Sequence, residues 1–342
     1  MKRSSFLIIW LCAMPVFTAG AQARLPIIDM HLHIRKADYI GPNPPPMCTP
    51  FPIMPRIDNS KPAEEGFEFN SPPCQNPIAA AKTDSAVMFG TIEVMNRRNI
   101  IGMVSGEPEE MVKWRAVARD RIIPGLDLRI PTHSGASHVK TRTPADIRAL
   151  HRSGAFKVLG EVLAQYQGVP ANDERLAPYW ALAEELDIPV AIHMGAGGPA
   201  DPYLGSPGYR ARYSSPLLLE DVLVKHPKLR VYIMHAGYPM LDNLRALLFS
   251  HPQVYVDIGS IVYTEPRPAF YRFLQGIVEA GYGDRVMFGS DQMIWPGIIE
   301  PSIQSVEDAP FLTTAQKRDI FYNNAARFLR LTKEEIARHH AM

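Results

Sequence analysis

From Arg24 onward the sequence predicts an α/β protein, a single-domain (β/α)8 TIM barrel with one long proline-rich insertion after its first strand. Three observations carry that prediction. Short apolar runs rich in β-branched residues alternate with longer stretches whose apolar residues recur at helical spacing, which is the pattern of parallel β/α units. Eight such pairs fit within the 342-residue chain, and eight is the number that closes a barrel. No Gly-x-Gly-x-x-Gly turn follows the first strand, as a doubly wound nucleotide-binding sheet would require.

The predicted strands cover residues 26–31, 100–106, 121–130, 156–162, 189–194, 230–235, 254–260 and 286–290. Predicted helices cover 83–98, 108–119, 143–153, 172–186, 216–225, 240–249, 268–280 and 313–329. Thr143-Pro144, Asn172-Asp173, Ser215-Pro216 and Thr313-Thr314 read as helix starts, because a side-chain cap or an early proline suits the unpaired N–H groups of a first turn. Residues 41–77 are proline-rich, lack periodicity and contain Cys48 and Cys74. A covalent staple would shorten the accessible unfolded chain there. We expect one disulfide, with two free thiols as the alternative.

The first 23 residues read as a secretory signal peptide: Lys2 and Arg3, an apolar run over residues 6–12, then Ala21-Gln22-Ala23 as an A-x-A cleavage site. The run is interrupted by Pro15 and is short for a hydrocarbon layer of about 30 Å. The expected mature chain, 24–342, is therefore periplasmic or secreted, without stable membrane insertion after cleavage. Export favours the disulfide. A hydrophobic share of 46% and a charged share of 21% are those of an ordinary globular domain. With 36 basic residues against 35 acidic there is no general field for nucleic acid or an anionic surface. The expected partner is a small-molecule substrate, and a homo-oligomer stays open.

Chemistry concentrates where strands end. The first strand runs Ile27-Ile28-Asp29-Met30-His31-Leu32-His33, and period-two alternation puts both imidazoles on one side of an extended chain. Later strands end in Glu161, His193, His235 and Asp291. The C-terminal strand ends of a barrel build its active site, so these positions converge although they lie far apart in the chain. Three or four N/O ligands with an open position suit catalytic zinc, with another divalent transition metal as the alternative.

The set of His31, His33, His193, His235 and the Gly289-Ser290-Asp291 ending resembles the amidohydrolase superfamily, in its aminocarboxymuconate semialdehyde decarboxylase-like branch. The run Asn323-Asn324-Ala325-Ala326-Arg327-Phe328-Leu329 is similar to that branch's closing helix. The resemblance implies that His31, His33, His193 and Asp291 bind metal, that Asp291 also serves as general base, and that His235 binds a second metal or polarises substrate. Glu161 would be a second-metal bridge, so one or two ions per chain remain open. Lys157 sits at the wrong end of its strand to bridge. Arg129 is a candidate for a substrate carboxylate.

The function so implied is hydrolysis of a C–N or C–O bond of a small amide, lactam, lactone or ester by metal-activated water. The alternatives are non-oxidative decarboxylation of an unsaturated or aromatic acid, and a non-catalytic metal- or solute-binding barrel. Asp257 is left out of the site, as are His133, His138, His151, His226, His251 and the terminal His339-His340, read as a frayed tail. The glycine-rich loop 195–213, with Tyr203 and Tyr209, reads as a lid. Trp295 and Tyr263 read as pocket wall, and the stapled insertion as a cover on the strand-one side of the mouth.

Overall fold

The computed structural model describes residues 24–69, 74–132, 139–195 and 197–342. The leader 1–23, His133 and His138 lie outside the described residues. The barrel strands are β1 Ile27–His33, β2 Ile100–Gly106, β3 Ile122–Leu128, β4 Val158–Val162, β5 Val190–His193, β6 Val231–Met234, β7 Tyr255–Asp257 and β8 Val286–Met287. They form one 8-stranded parallel sheet in sequential order. Backbone bonds then join the two edges: Met30 N–H donates to Phe288 O at 2.9 Å, and Asp291 N–H to His31 O at 2.7 Å. The predicted (β/α)8 TIM barrel is the observed fold.

Inward residues of neighbouring strands pack in a central cluster, including Ile28, Ile101, Met103, Val158, Tyr232, Met234 and Met287. A larger apolar shell lies between sheet and helices. The β1–β2 ladder shifts register between Asp29 and Leu32. Met30 therefore joins the inner core while the next residue, His31, also turns toward the site.

Helix starts follow their capping chemistry. The Thr143 side chain accepts from Asp146 N and Asp146 returns the bond, with Pro144 in the first turn of Pro144–Arg152. Thr83 caps Asp84–Arg98, whose end is closed by Asn99 in the left-handed region. The predicted 313–329 helix is observed as Thr314–Arg318 and Asn324–Phe328 joined by a π turn, Asp319–Asn323. Besides the single turns Ala63–Gly66 and Ile261–Thr264, two helices among the described residues were not anticipated, Ile299–Glu307 and Lys333–Ala341. The second corrects the frayed-tail reading. Thr332 and Glu335 form a capping box, and His339 is buried with Nδ1 3.0 Å from the Tyr322 hydroxyl.

Cys48 and Cys74 are joined, with Cα atoms 5.7 Å apart. The insertion they staple reaches beyond the strand-one side. Phe51 N–H donates to Thr264 O at 2.9 Å, the Thr49 hydroxyl to Tyr263 O at 2.5 Å, and the Trp295 indole to Pro45 O at 3.0 Å. It is thereby tied to segments that follow β7 and β8. No helix among the described residues is long and apolar enough to cross a membrane.

Candidate metal centre

Six side chains from five strand ends meet at the C-terminal mouth of the barrel. His31 Nδ1 lies 3.1 Å from Asp257 Oδ2, which leaves Nε2 facing Asp291 Oδ1 at 3.2 Å. His33 Nε2 reaches the same Asp291 oxygen at 3.1 Å and Glu161 Oε2 at 3.5 Å. Glu161 Oε1 faces His193 Nδ1 at 2.5 Å. His235 donates from Nδ1 to Gly259 O at 2.9 Å, so its Nε2 lone pair points at the cluster, 3.8 Å from Glu161 Oε1. His235 and Asp291 adopt positive φ of 63° and 54°. Such left-handed conformations are uncommon away from glycine but are adopted by Asp and His more readily than by most residues, and here they turn the chain where it leaves β6 and β8.

The donor set fits a divalent cation. Two ligand atoms bound at about 2.1 Å to one ion stand about 3.0–3.4 Å apart, and the His31–Asp291 and His33–Asp291 separations of 3.2 Å and 3.1 Å match. His31, His33 and Asp291 form one group of mutually close donors, and His31, Glu161 and His235 a second. Among the described residues, buried His31 Nε2 and His193 Nε2 have no hydrogen-bond partner. The charge balance agrees. Asp29, Asp127, Asp257, Glu161 and Asp291 are all buried, and the guanidinium set among them is Arg35.

The titration directions express this balance. Burial pushes the His31 pKa down, but Asp257 and Asp291 outweigh it and hold the imidazole at about 10. Burial raises the Asp291 and Glu161 carboxyls, and the adjoining histidines more than reverse the effect. His33 and His193 are lowered, first by burial, then by the charges of Arg35 and His235 respectively. Burial lifts the Asp29 carboxyl to about 7.

Three supporting residues were missed or left aside. Asp257 accepts from His31, from His235 N at 3.1 Å and from Gly259 N at 2.8 Å. Asp127 accepts the Glu161 N–H at 3.1 Å through one oxygen and binds Arg35 through the other. Arg35 continues the alternation of His31 and His33, a signal that was present in the sequence. Asp127 carried none, since an acid near a strand end is common. The Tyr166 ring, 4.5 Å from that of His193, closes one wall.

The other candidates lie outside the two groups of close donor atoms. Arg129 is half-buried just beyond β3, bridging in register to Thr141. Burial pushes its guanidinium down, and Tyr39 opposes that shift. Trp295 anchors the insertion through its bond to Pro45, and Tyr263 is fully buried. In the loop after β5, Tyr203 is exposed, whereas the buried Tyr209 hydroxyl binds Gly197 N at 2.7 Å and Gly195 O at 2.9 Å and so pins the loop base. His226 pairs with Glu184 at 3.0 Å, while His151 packs on Phe156 and His251 lies near Glu220.

A barrel whose C-terminal rim gathers histidines and carboxylates in this order defines the class of (β/α)8 enzymes able to hold divalent metal. The amidohydrolase family model matches residues 28–331, and the chain belongs to that family. Comparison with curated proteins gives no match. Among solved structures the chain is similar to an uncharacterized TIM-barrel protein from Bordetella bronchiseptica, at 18% identity and a TM-score of 0.59, covering 92% of this chain and 100% of that one. It is also similar to 5-carboxyvanillate decarboxylase from Sphingomonas paucimobilis, at 14% identity, TM-score 0.54, covering 90% and 100%. A probable 2-pyrone-4,6-dicarboxylic acid hydrolase from Acinetobacter baumannii matches with the same values, 14%, 0.54, 90% and 100%. At these identities the likeness is one of fold.

Proposed function

We propose that the protein is an exported, metal-dependent hydrolase that cleaves a C–N or C–O bond of a small molecule, an amide, lactam, lactone or ester. The observation that carries the reading is the position of Glu161. Its Oε2 lies 3.5 Å from His33 Nε2 and its Oε1 3.8 Å from His235 Nε2, so it stands between the His31–His33–Asp291 donor group and the group it forms with His31 and His235, which supports a bridging role. Two divalent ions held there would supply Lewis acidity toward water and toward the oxygen of the scissile group.

The chain's own residues supply the rest. The Asp291 side chain is 10% exposed where that of His31 is 0%, so it is the carboxylate able to take a proton from an entering water and pass it to a leaving group. Asp257 and Gly259 hold the tautomers of His31 and His235. The Tyr166 ring against His193 excludes water from that side. Export is supported by the leader pattern and by the Cys48–Cys74 bridge, a bond that persists in oxidising compartments.

The rival reading is carboxy-lyase chemistry. His31, His33, His193 and Asp291 suffice for a single ion, and decarboxylation is the activity in the names of more than one similar structure. Elemental analysis of the purified mature protein, with turnover of lactones, esters, amides and aromatic acids, separates the readings. Near two metals per chain, falling to about one in Glu161→Gln, with acid released from a lactone or amide, is the expected result. One metal, unchanged in Glu161→Gln, with CO2 released from an aromatic acid, would replace hydrolysis by decarboxylation. Metal without turnover of either kind would leave a binding barrel.

A further inference from the structure

The N-terminal face of the barrel, opposite the histidine cluster, holds a cavity of about 420 Å³. Its floor is apolar, with Ile101, Phe156 and Leu329 among the lining residues. Its rim is cationic. Arg115 belongs to the helix Pro108–Ala118, Arg119 follows it, Lys157 precedes β4, and Arg338 lies on Lys333–Ala341. Among the described residues none of these four has an ion-pair partner, and the buried Arg115 Nε has no hydrogen-bond acceptor.

The acids of the rim do not balance them. Asp187 is held by Arg230 at 2.7 Å and by Arg330 at 2.6 Å. Glu335 is engaged in its capping box with Thr332. Asp120 and the Glu335 carboxylate, whose charge a backbone N–H does not cancel, remain against four cations without an ion-pair partner among the described residues. Like charges gathered over an apolar floor repel one another and gain nothing from mutual contact, so an arrangement of this kind is stabilised when an anion enters.

We propose that this cavity is an anion-binding site, taking a small molecule that joins a doubly charged oxyanion, phosphate-like or dicarboxylate, to an apolar body. The oxyanion meets Arg115 and Lys157, with Arg338 closing from the C-terminal helix, and the apolar body rests on Phe156 and Leu329. The site is independent of the metal centre.

The test is isothermal titration of the metal-loaded protein with phenylphosphonate and with phthalate, at ionic strength matched by sodium chloride. Saturable binding of at least one probe is expected, phenylphosphonate marking a phosphate site and phthalate a dicarboxylate site. The affinity should fall about tenfold or more in Arg115→Gln/Lys157→Gln, since each charge-assisted bond is worth roughly that factor. Arg338 is exposed, so Arg338→Glu leaves the fold intact and should weaken binding likewise. No saturable binding by either probe, or binding of equal affinity in both variants, which would place it at the metal centre, overturns the proposal.

Discussion

Asp257 accepts three hydrogen bonds at the mouth through Oδ1, from His31 Nδ1 at 3.4 Å, His235 N at 3.1 Å and Gly259 N at 2.8 Å, while its Oδ2 stands 3.1 Å from His31 Nδ1 as the nearer ionic contact. In Asp257→Asn the retained carbonyl oxygen still accepts from His235 N and Gly259 N, but the negative charge beside His31 Nδ1 is lost and an NH2 donor stands in place of Oδ2 at 3.1 Å. The fold should survive, while metal affinity falls about 10–100-fold, as for other orienting partners of ligand histidines. Competition with a chromophoric chelator measures this, and an unchanged affinity would remove Asp257 from the support of the site. Asp201 lends itself to a pH test. Burial lifts its carboxyl to about 7, above the value near 3.9 of an unfolded chain. The unfolded state then ionises first, so the penalty on folding appears as pH rises above about 4 and is complete above 7. Asp201→Asn should raise the melting temperature at pH 8, by about 2 kcal/mol of stability, and have no effect near pH 4. Thermal melts at the two pH values check the sign.

The strands that carry the ligands touch through small residues. A Cβ on Gly160 would lie 2.2 Å from Ala191 Cβ and 2.9 Å from Ala191 O. Gly160→Ala must therefore push β4 from β5 at the point where Glu161 and His193 pair. A loss of about 3 kcal/mol or more is expected in chemical denaturation, together with loss of metal. The insertion behaves differently, because its tie is covalent. Breaking the bridge with Cys48→Ser/Cys74→Ser frees a loop of 26-residue separation, which should cost about 3 kcal/mol. Because the loop is anchored to segments following β7 and β8, the change should also raise KM, and a variant with wild-type stability and KM would refute its role at the mouth.

At the scale of the whole molecule, the buried carboxylates of the mouth couple folding to metal. A ligand that binds only the folded chain stabilises it in proportion to its occupancy. Chelation should lower the melting temperature by about 5 °C, and one equivalent of zinc or manganese per site should restore it; a melt indifferent to chelator would argue against bound metal. The proposed export makes an equally direct prediction. Intact mass of the protein purified from its native compartment should begin at Arg24, and a retained leader would refute cleavage after Ala23.

The sequence by itself determined the fold class, the order of the eight strands and the histidines and acids at their ends, because alternation, helical periodicity and strand-end position are local signals that a chain carries without folding. His31, His33, Glu161, His193, His235 and Asp291 were all legible in that way. Which of them meet was decided only by tertiary structure. The register shift between Asp29 and Leu32 turns His31 inward beside Met30, and Asp127 approaches Glu161 and Arg35 only because β3 pairs with β4. The burial of His339 likewise depends on Tyr322, a residue brought to it by packing. Strand order is written in local pattern, whereas pairwise contact between distant residues is set by how the closed barrel distributes register and charge.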